Sequence, residues 1–591
     1  MTSSDPTRFP LLPSQTGMRD GHLQDPDNAA YTVSQIVWFS GDELTEQMIV
    51  DATVRALHDT DALMMRADVD ADGMWFQESR QGEDIPTHRV DLSDAEDPVQ
   101  AARDLAFREV RRALQISGPE FPFRSFVLTL GEHSYGWFGV CHHMFVDGYG
   151  ASLLRARVGQ ILGALAAGDD VPDSPLGSFA DLVARVPEQD PADLRFWKEH
   201  LEGAPDVISF SDRVAPPAPL YEMLDFRTPR FARRVAEVLE GVNWAHMAAS
   251  AAIAYVSVVV EDPRVVVGLP ITGRFTAEEK MTPSQSMGAL PLHLRVDHGA
   301  SLPDLVQTFR DTVRSTKCHQ RQAPDILRAE LPTAWRTGRM YGPMVNVIPF
   351  EMPSMAGHLE TGLEVISHGP CDDVSFTITP SDEDGVRTEL LFNPSLYGPV
   401  QRRAHTDRFE RWLQQVADHP DAALSDLICL TPDEERMHAR LEVTPADGEA
   451  ASLVWGTPCS VADLAAAAGV HSATGLTLRS ALGRPSLLGA PGRVVLRTAD
   501  GPRETDLLAA LTEVGIEYRG KAADRVVVNG IHVELAAVRD AVTKGGLHPG
   551  AEVSASARRI TVRLGDGSDE AEREAVAQRL ARVTSAPVTV R

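Results

Sequence analysis

The 591 residues include 56 Lys and Arg against 84 Asp and Glu, a formal net charge of −28 at pH 7. This acidic excess argues against nucleic acid or an anionic membrane as the main partner, because both attract clustered positive charge. Five cysteines in a chain of this length do not make a disulfide framework, and they favour a reducing compartment.

The N-terminal residues 1–6 contain neither the basic nor the apolar segment of a secretory signal. The longest nearly apolar run extends from Met247 to Val260. It is shorter than the ~20 residues that a membrane-spanning helix needs, so it predicts a buried helix. We therefore expect a soluble, cytoplasmic protein that binds no membrane.

Helix and strand patterns alternate from about residue 10 to residue 430 without a linker rich in Pro, Gly or Ser. In the first part of this stretch, strand patterns cover residues 31–39, 124–130 and 135–141. After Gly150, apolar residues recur with the spacing of an amphipathic helix, which we expect to end at Gly168.

Further along, residues 265–270 and 341–349 predict strands, and residues 399–416 predict a helix with a proline in its first turn. Thr431 is placed to cap a short helix that follows it. Residues 444–450 are polar and turn-prone, which indicates a linker. The tail beyond them is rich in Ala, Val and Arg and is long enough for a small α+β unit.

The segment between the strand at 135–141 and the following helix carries the strongest chemical pattern. It contains His142, His143, Asp147 and Gly148 in the spacing H-H-x-x-x-D-G. A neutral imidazole can act as a general base near pH 7. A buried aspartate needs a cationic or hydrogen-bonding partner, and Gly148 allows a ligand to approach the backbone closely.

This pattern resembles the active-site motif of condensation domains from nonribosomal peptide synthetases and of related acyltransferases with the chloramphenicol acetyltransferase-like fold. Other segments resemble further motifs of the family in the family's own order, namely residues 11–18, 57–66, 179–182, 196–197, 267–274, 343–346 and 425–436. The resemblance covers about residues 8 to 436.

The resemblance implies an α/β (α+β) fold, a V-shaped pseudodimer of two chloramphenicol acetyltransferase-like lobes with a tunnel between them. We expect an N-lobe at 8–175, a C-lobe at 176–438, a linker at 439–458 and a small α+β C-terminal subdomain at 459–591. Donor and acceptor thioesters are expected to enter the tunnel from opposite faces on phosphopantetheine arms.

The resemblance also implies roles for single residues. His143 becomes the catalytic histidine, which either takes the proton of the amine or positions the nucleophile. His142, Asp147, Gly148 and Arg274 become structural residues of the site, with Asp147 paired to Arg274 of the second lobe. The residues expected to contact substrate or line the tunnel are Gln15, Tyr149 and Asn346.

A metal site is the competing interpretation of this segment, with Cys141 and His143 as ligands. No second cluster of ligands follows at the spacing that a zinc site needs, so we expect no metal.

The function implied is transfer of a carrier-bound acyl or aminoacyl group to an amine, which forms an amide. The aspartate pattern of heterocyclisation domains and the second acidic signature of epimerisation domains are both absent from the sequence. Two alternatives stay open: ester formation with a hydroxyl acceptor, and a non-catalytic scaffold that recruits carrier proteins through the tail.

The tail shows a second resemblance. Residues 491–497, 503–507 and 518–535 are similar to the end of an adenylation domain. The matching positions of that family are Asp506, Gly530, Glu534 and Leu535. The hinge aspartate is replaced by Ala523, the last residues 585–591 contain no lysine, and no phosphate-binding loop is present. We therefore expect a degenerate packing or docking module that does not adenylate.

The sequence also lacks the serine motif of a carrier domain. We therefore expect a free-standing, monomeric condensation enzyme that binds no cofactor of its own. Its donor would arrive on the phosphopantetheine arm of a separate carrier protein, and its acceptor would be a small-molecule or carrier-bound amine.

Overall fold

The structure is a computed structural model, and it describes residues 7–83, 85–205, 208–211, 215–218, 222–238, 242–331, 340–349, 359–381, 384–427, 430–444, 453, 455–480, 483–528, 531–543, 548, 550–556, 559–565, 568–580, 584 and 588–591. Within these residues, no helix is both long and apolar enough to cross a lipid bilayer.

The N-terminal half contains both strands and helices. Its strands are β1 (Arg8–Pro10), β2 (Thr32–Ser40), β3 (Met65–Val69), β4 (Trp75–Ser79), β5 (Thr87–Asp91), β6 (Phe123–Gly131) and β7 (Ser134–His142). Its helices are α1 (Pro13–Gln24), α2 (Glu46–His58), α3 (Pro98–Val110) and α4 (Gly148–Ala167). The predicted pair of strands before the histidines and the helix after them are confirmed, and Gly168 ends α4 with a φ of 73°.

The second half contains the strands β8 (Glu222–Thr228), β9 (Arg264–Ile271), β10 (Gly288–Arg295), β11 (Met344–Val347), β12 (Glu360–His368), β13 (Val374–Ser381) and β14 (Gly385–Phe392). Its helices are α5 (Phe179–Ala184), α6 (Pro191–His200), α7 (Phe231–Val238), α8 (Trp244–Val260), α9 (Leu302–Lys317), α10 (Pro324–Glu330), α11 (Pro399–Asp418) and α12 (Pro432–Leu441).

The main sheet of the first half has the order β12-β2-β7-β6-β5. Successive side chains of a strand point to opposite faces, and β2 shows this directly. Ile36 is buried in the apolar cluster that includes α3, while Val37 and Phe39 are buried in the cluster that includes α2 and α4. The sheet is therefore covered by helices on both faces.

The second half is built around a six-stranded sheet with the order β10-β9-β11-β13-β14-β8. The apolar run that predicted a buried helix forms α8, which is buried along most of its length. The indole Nε1 of Trp412 on α11 donates to the carbonyl of Ala251 on α8 at 2.9 Å. Helices buried on this scale are apolar on nearly all sides.

Two features of the second half differ from the sequence patterns. The strand predicted at 341–349 is shorter, Met344–Val347, and it is flanked by Pro343 and Pro349, which have no backbone N–H for a sheet. Strand β12 leaves the second half and pairs antiparallel with β2 at the edge of the first sheet.

The tail contains the helices α13 (Val461–Ala467), α14 (Leu535–Thr543) and α15 (Glu570–Leu580), and the strands β15 (Pro458–Cys459), β16 (Gly475–Arg479), β17 (Pro491–Thr498), β18 (Gly501–Thr512), β19 (Gly515–Lys521), β20 (Arg525–Val528), β21 (Ile531–Glu534), β22 (Glu552–Ser556), β23 (Arg559–Arg563) and β24 (Val588–Val590). Strands β15 to β19 form one antiparallel sheet with its own buried cluster, and a second cluster lies between β20 and α15.

The tail residues that matched the adenylation family are placed as follows. Asp506 lies 3.8 Å from the Nζ of Lys521, and both side chains are more than half exposed. The indole of Trp455 donates to the carboxylate of Glu534, and Leu535 is buried. Gly530 and, within the predicted linker, residues 445–452 and 454 lie outside the described residues.

Candidate active site

The histidine motif lies between the end of β7 and the start of α4. Asp147 is the N-cap of α4, and its Oδ1 accepts the backbone N–H of Gly150 at 2.7 Å. Aspartate is favoured at this position because its side chain binds a helix N–H that has no partner within the helix. The same residue that belongs to the motif therefore starts the helix behind it.

Asp147 forms a buried ion pair with Arg274, the pair that the resemblance implies. The Nη1 and Nη2 atoms of Arg274 donate to the two carboxylate oxygens at 2.8 and 3.1 Å, and both side chains are fully buried. The carboxylate also accepts the backbone N–H groups of Ser286 and Met287 at 3.0 and 2.9 Å. A buried charge needs this degree of pairing, and here the pair joins the two halves of the molecule.

His143 follows β7 and is 7% exposed. Its backbone N–H donates to the carbonyl of Tyr31 at 2.6 Å, and its Nδ1 has no hydrogen-bond partner among the described residues. Burial lowers the pKa of the imidazole below its ordinary value, although hydrogen bonding and the nearby Asp147 carboxylate oppose this effect. The ring is therefore neutral at pH 7, the state that a general base requires.

Gln285 belongs to the loop that is bonded to Asp147, and it lies beside His143. It is 1% exposed, its side-chain Nε2 donates to the backbone carbonyl of Met287 at 2.7 Å, and its backbone carbonyl accepts the Ser14 hydroxyl at 2.7 Å. The Oε1 atom is buried and has no partner among the described residues. The Gln285 side chain raises the pKa of His143 against the larger effect of burial.

Gly369, which directly follows β12, lies against the ring of His143. A Cβ atom on Gly369 would lie 2.3 Å from Cδ2 of the imidazole and 3.1 Å from Nε2. The preceding residue, His368, has its pKa lowered to about 4 by the surrounding protein and by His143. Gly369, from the C-terminal half of the chain, thus packs against one side of the His143 ring.

His142 is packed inside the protein. Its Nδ1 accepts the backbone N–H of Met144 at 3.1 Å, its ring stacks on Tyr31, and the edge of the ring meets His22. Burial lowers its pKa well below the ordinary value, so the ring stays neutral. This arrangement suits the structural role proposed for it.

Gln15 requires a correction, because the structure does not place it at a tunnel wall. Its side chain is fully buried. Nε2 donates to the carbonyl of Met144 at 2.8 Å and to Gln77, while Oε1 accepts the N–H of Leu12. Both ends of the amide are therefore hydrogen-bonded within the protein. Through the carbonyl of Met144, Gln15 holds the loop that carries the histidine motif.

The remaining predicted residues surround this centre. The ring of the half-buried Tyr149 lies 4.9 Å from the Arg274 guanidinium, which is a cation–π distance. Gly148 is exposed, and a Cβ atom there would meet nothing within 4 Å. Asn346 lies on β11 and is half-buried. Substrate contacts by Tyr149 and Asn346 stay predictions.

The described residues contain no cluster of three His, Cys, Asp or Glu side chains that could hold a metal ion. Cys141 is completely enclosed, and burial raises the pKa of its thiol. The described residues around His143 therefore do not supply a set of three such donors.

Three residues of this centre were not predicted from the sequence: Tyr31, Gln285 and Gly369. Tyr31 acts through its backbone carbonyl, which no residue pattern reveals. Gln285 lies in the polar segment between β9 and β10, shortly after Arg274. Its side-chain amide, close in sequence to the predicted site residue Arg274, could have marked it as a candidate site residue. Gly369 is an isolated glycine after a strand and gave no signal of its own.

A sequence model of the family described as "Condensation domain" matches residues 6–438. The chain is 30% identical over 437 residues to the isonitrile lipopeptide synthase of Streptomyces coeruleorubidus, covering 71% of this chain and 29% of that protein. It is 24% identical over 445 residues to the dimodular nonribosomal peptide synthase of Bacillus subtilis, covering 74% of this chain and 18% of that protein. The chain thus spans less than a third of either relative.

Solved structures with the same fold include the first condensation domain of the calcium-dependent antibiotic synthetase in complex with a substrate analogue. It has a TM-score of 0.64 and 25% identity, covering 72% of this chain and all of that domain. A variant of the starter condensation domain of rhizomide synthetase RzmA in complex with C8-CoA has a TM-score of 0.65 and 23% identity, covering 72% of this chain and 98% of that domain.

Proposed function

This chain belongs to the condensation-domain family of nonribosomal peptide synthetases, and we propose that it transfers an acyl or aminoacyl group from a carrier-bound thioester to an amine. The observation that carries the proposal is the neutral, buried imidazole of His143, held by Tyr31 and placed where the two halves meet. The chloramphenicol acetyltransferase-like fold of the family is common to the solved neighbours.

The reaction forms one C–N bond and breaks one C–S bond. As the amine nitrogen attacks the thioester carbonyl, His143 accepts the amine proton, and the departing thiolate is then protonated to the free thiol. Asp147 does not take part in this proton transfer, since every bond it makes is to Arg274 or to backbone N–H groups. Its contribution is to hold α4 and the loop at 284–287 in place.

The donor in this proposal is carried on the phosphopantetheine arm of a carrier protein outside these 591 residues, since the chain has no carrier-domain serine motif. The C8-CoA bound by the rhizomide synthetase neighbour is an acyl thioester, which supports a donor of that class. The proposal takes the condensation fold to act as a monomer in the cytoplasm and to bind no cofactor of its own.

The limits of the lobes, at 8–175 and 176–438, and of the linker and tail are part of the same proposal. We assign the tail, 459–591, to packing or docking, because the residues that adenylation needs are replaced or absent in its sequence.

The test is a reconstitution with an acyl-loaded carrier protein and two acceptors of similar size, one an amine and the other an alcohol, followed by mass spectrometry of the products. We expect an amide product whose formation His143→Ala abolishes. An ester in place of the amide would correct the acceptor class. Binding of the carrier without any product would instead support a non-catalytic scaffold and overturn the proposal.

A further inference from the structure

The C-terminal half of the chain reaches into the N-terminal sheet through β12, and the contact is fixed at several points. β12 pairs with β2 along the edge of the sheet. Arg103 on α3 bonds to Glu364 on β12 at 2.9 Å. The hydroxyl of Ser367 donates to the carbonyl of Thr32 at 2.7 Å. These bonds define the register of β12 against β2.

A bulge near the end of β12 sets the direction of the residues that follow. The pairing shifts between Val365 and Ser367, after which His368 lies opposite Val33 and the strand ends. Gly369 then adopts a φ of +98°, and its N–H donates to the Ser367 hydroxyl at 3.4 Å. A bulge bends its strand, and a positive φ of this size is suited to glycine.

The bend brings Gly369 against the imidazole of His143. A Cβ at Gly369 would lie 2.3 Å from Cδ2, about 1 Å closer than an ordinary van der Waals contact. The backbone of His143 is bonded to Tyr31, which directly precedes β2. Both β12 and the backbone of His143 are therefore hydrogen-bonded to β2 or to the residue directly before it.

We propose that Gly369 is a positioning residue, through which β12 sets the position of the His143 ring from the second half of the molecule. This inference rests on the proposed function in one respect: it takes His143 as the group that reacts. The contact itself is independent of which donor and acceptor are used.

The competing explanation is that glycine is needed at 369 only for its backbone conformation. Gly73 provides a matched control, because it has a φ of +80° and a Cβ there would meet nothing within 4 Å. Gly73→Ala therefore introduces similar backbone strain without a contact to any side chain. A comparison of Gly369→Ala with Gly73→Ala separates backbone strain from displacement of the ring.

The experiment measures both variants in two ways. The first is the steady-state rate of amide formation, for which we expect Gly369→Ala to lower kcat by up to about 100-fold, since relieving the contact needs a shift of about 1 Å. KM should change little, and Gly73→Ala should keep the parent kcat. The second is the NMR signal of the His143 ring in protein with labelled histidine, assigned by its loss in His143→Ala.

The NMR readout needs no substrate, so the two proposals can fail separately. A displaced His143 signal in Gly369→Ala, unchanged in Gly73→Ala, supports the positioning role even if the parent protein forms no amide. If the two variants keep the same His143 signal and the same kcat as the parent, or lose kcat equally, the positioning role of Gly369 is wrong.

Discussion

The polar side chains at the active site differ in whether their hydrogen-bonding atoms have partners within the protein. Asp147 is bonded to Arg274 and to backbone N–H groups, whereas Nε2 of His142, Nδ1 of His143 and Oε1 of Gln285 are buried without a hydrogen-bond partner among the described residues. Unpaired buried polar atoms are costly and few in folded proteins. Two of the buried polar atoms without partners, Nδ1 of His143 and Oε1 of Gln285, therefore lie at the imidazole that we propose to be reactive.

Removing the arginine of the buried pair should destabilise the protein strongly. Arg274→Ala leaves the fully buried carboxylate of Asp147 without its cation, which we expect to lower the free energy of unfolding by about 3–5 kcal/mol in urea denaturation. Arg233→Ala is the control, because the Arg233–Asp384 pair is about half exposed and should cost no more than about 1 kcal/mol. Equal losses in the two variants would contradict the structural role of the pair.

The rate of transfer should depend on pH through His143. Burial lowers the pKa of this imidazole below its ordinary value of 6.5, so the ring is unprotonated at pH 7. The single-turnover rate should fall at low pH as the ring gains a proton, with a midpoint below 6.5. The titratable groups that interact electrostatically with the His143 ring are Asp147, His142 and His368, and Asp147 opposes the lowering of its pKa. A midpoint above 6.5 would show that the environment described for His143 is wrong.

At the scale of single elements, local patterns predicted α4, α8, α11, α12 and the pair β6–β7, but they did not predict the long-range partners of these elements. α4 and α8 were predictable because their apolar spacing and terminal residues are local features. β12 was not predicted, since its pairing joins residues more than three hundred positions apart. Gln15 was misassigned because polarity alone does not distinguish a tunnel contact from a buried hydrogen bond.

Helix α12 joins the second half to the tail, and Glu434 is the centre of that junction. Its carboxylate accepts from Arg408 on α11 at 2.6 Å and from the backbone N–H of Leu488 in the tail at 2.8 Å. Both side chains of the ion pair are 1% exposed. His438 on the same helix bonds to the carbonyl of Ser486. The tail is thus fixed to the condensation fold by buried polar contacts.

Glu434→Ala should therefore destabilise the protein by about 3–5 kcal/mol, because Arg408 loses its buried partner. Glu435→Ala is a control on the next residue of the same helix, since its pair with Arg411 is partly exposed and should be worth about 1 kcal/mol or less. Urea denaturation of the full chain measures both. A loss in Glu434→Ala no larger than that in Glu435→Ala would exclude a strong junction at α12.

On the scale of the whole molecule, the site depends on both halves. Asp147, from the first half, is held by Arg274 and by the loop at 284–287, while β12 brings Gly369 from further along the chain. The order of the motifs was readable from short sequence patterns, and the Asp147–Arg274 pair was implied by the resemblance that those motifs carry. The position of β12 and the two clusters of the tail depend on tertiary packing, which short patterns do not encode.

The central claim is that His143 carries the chemistry of acyl transfer. The direct test is the single-turnover rate of amide formation from an acyl-loaded carrier, with His143→Ala compared with the parent chain. His133→Ala is the control, because this histidine lies on the surface with its side chain 45% exposed. We predict a loss of about 100-fold or more in His143→Ala and none in His133→Ala. A His143→Ala variant that keeps the parent rate would contradict the account.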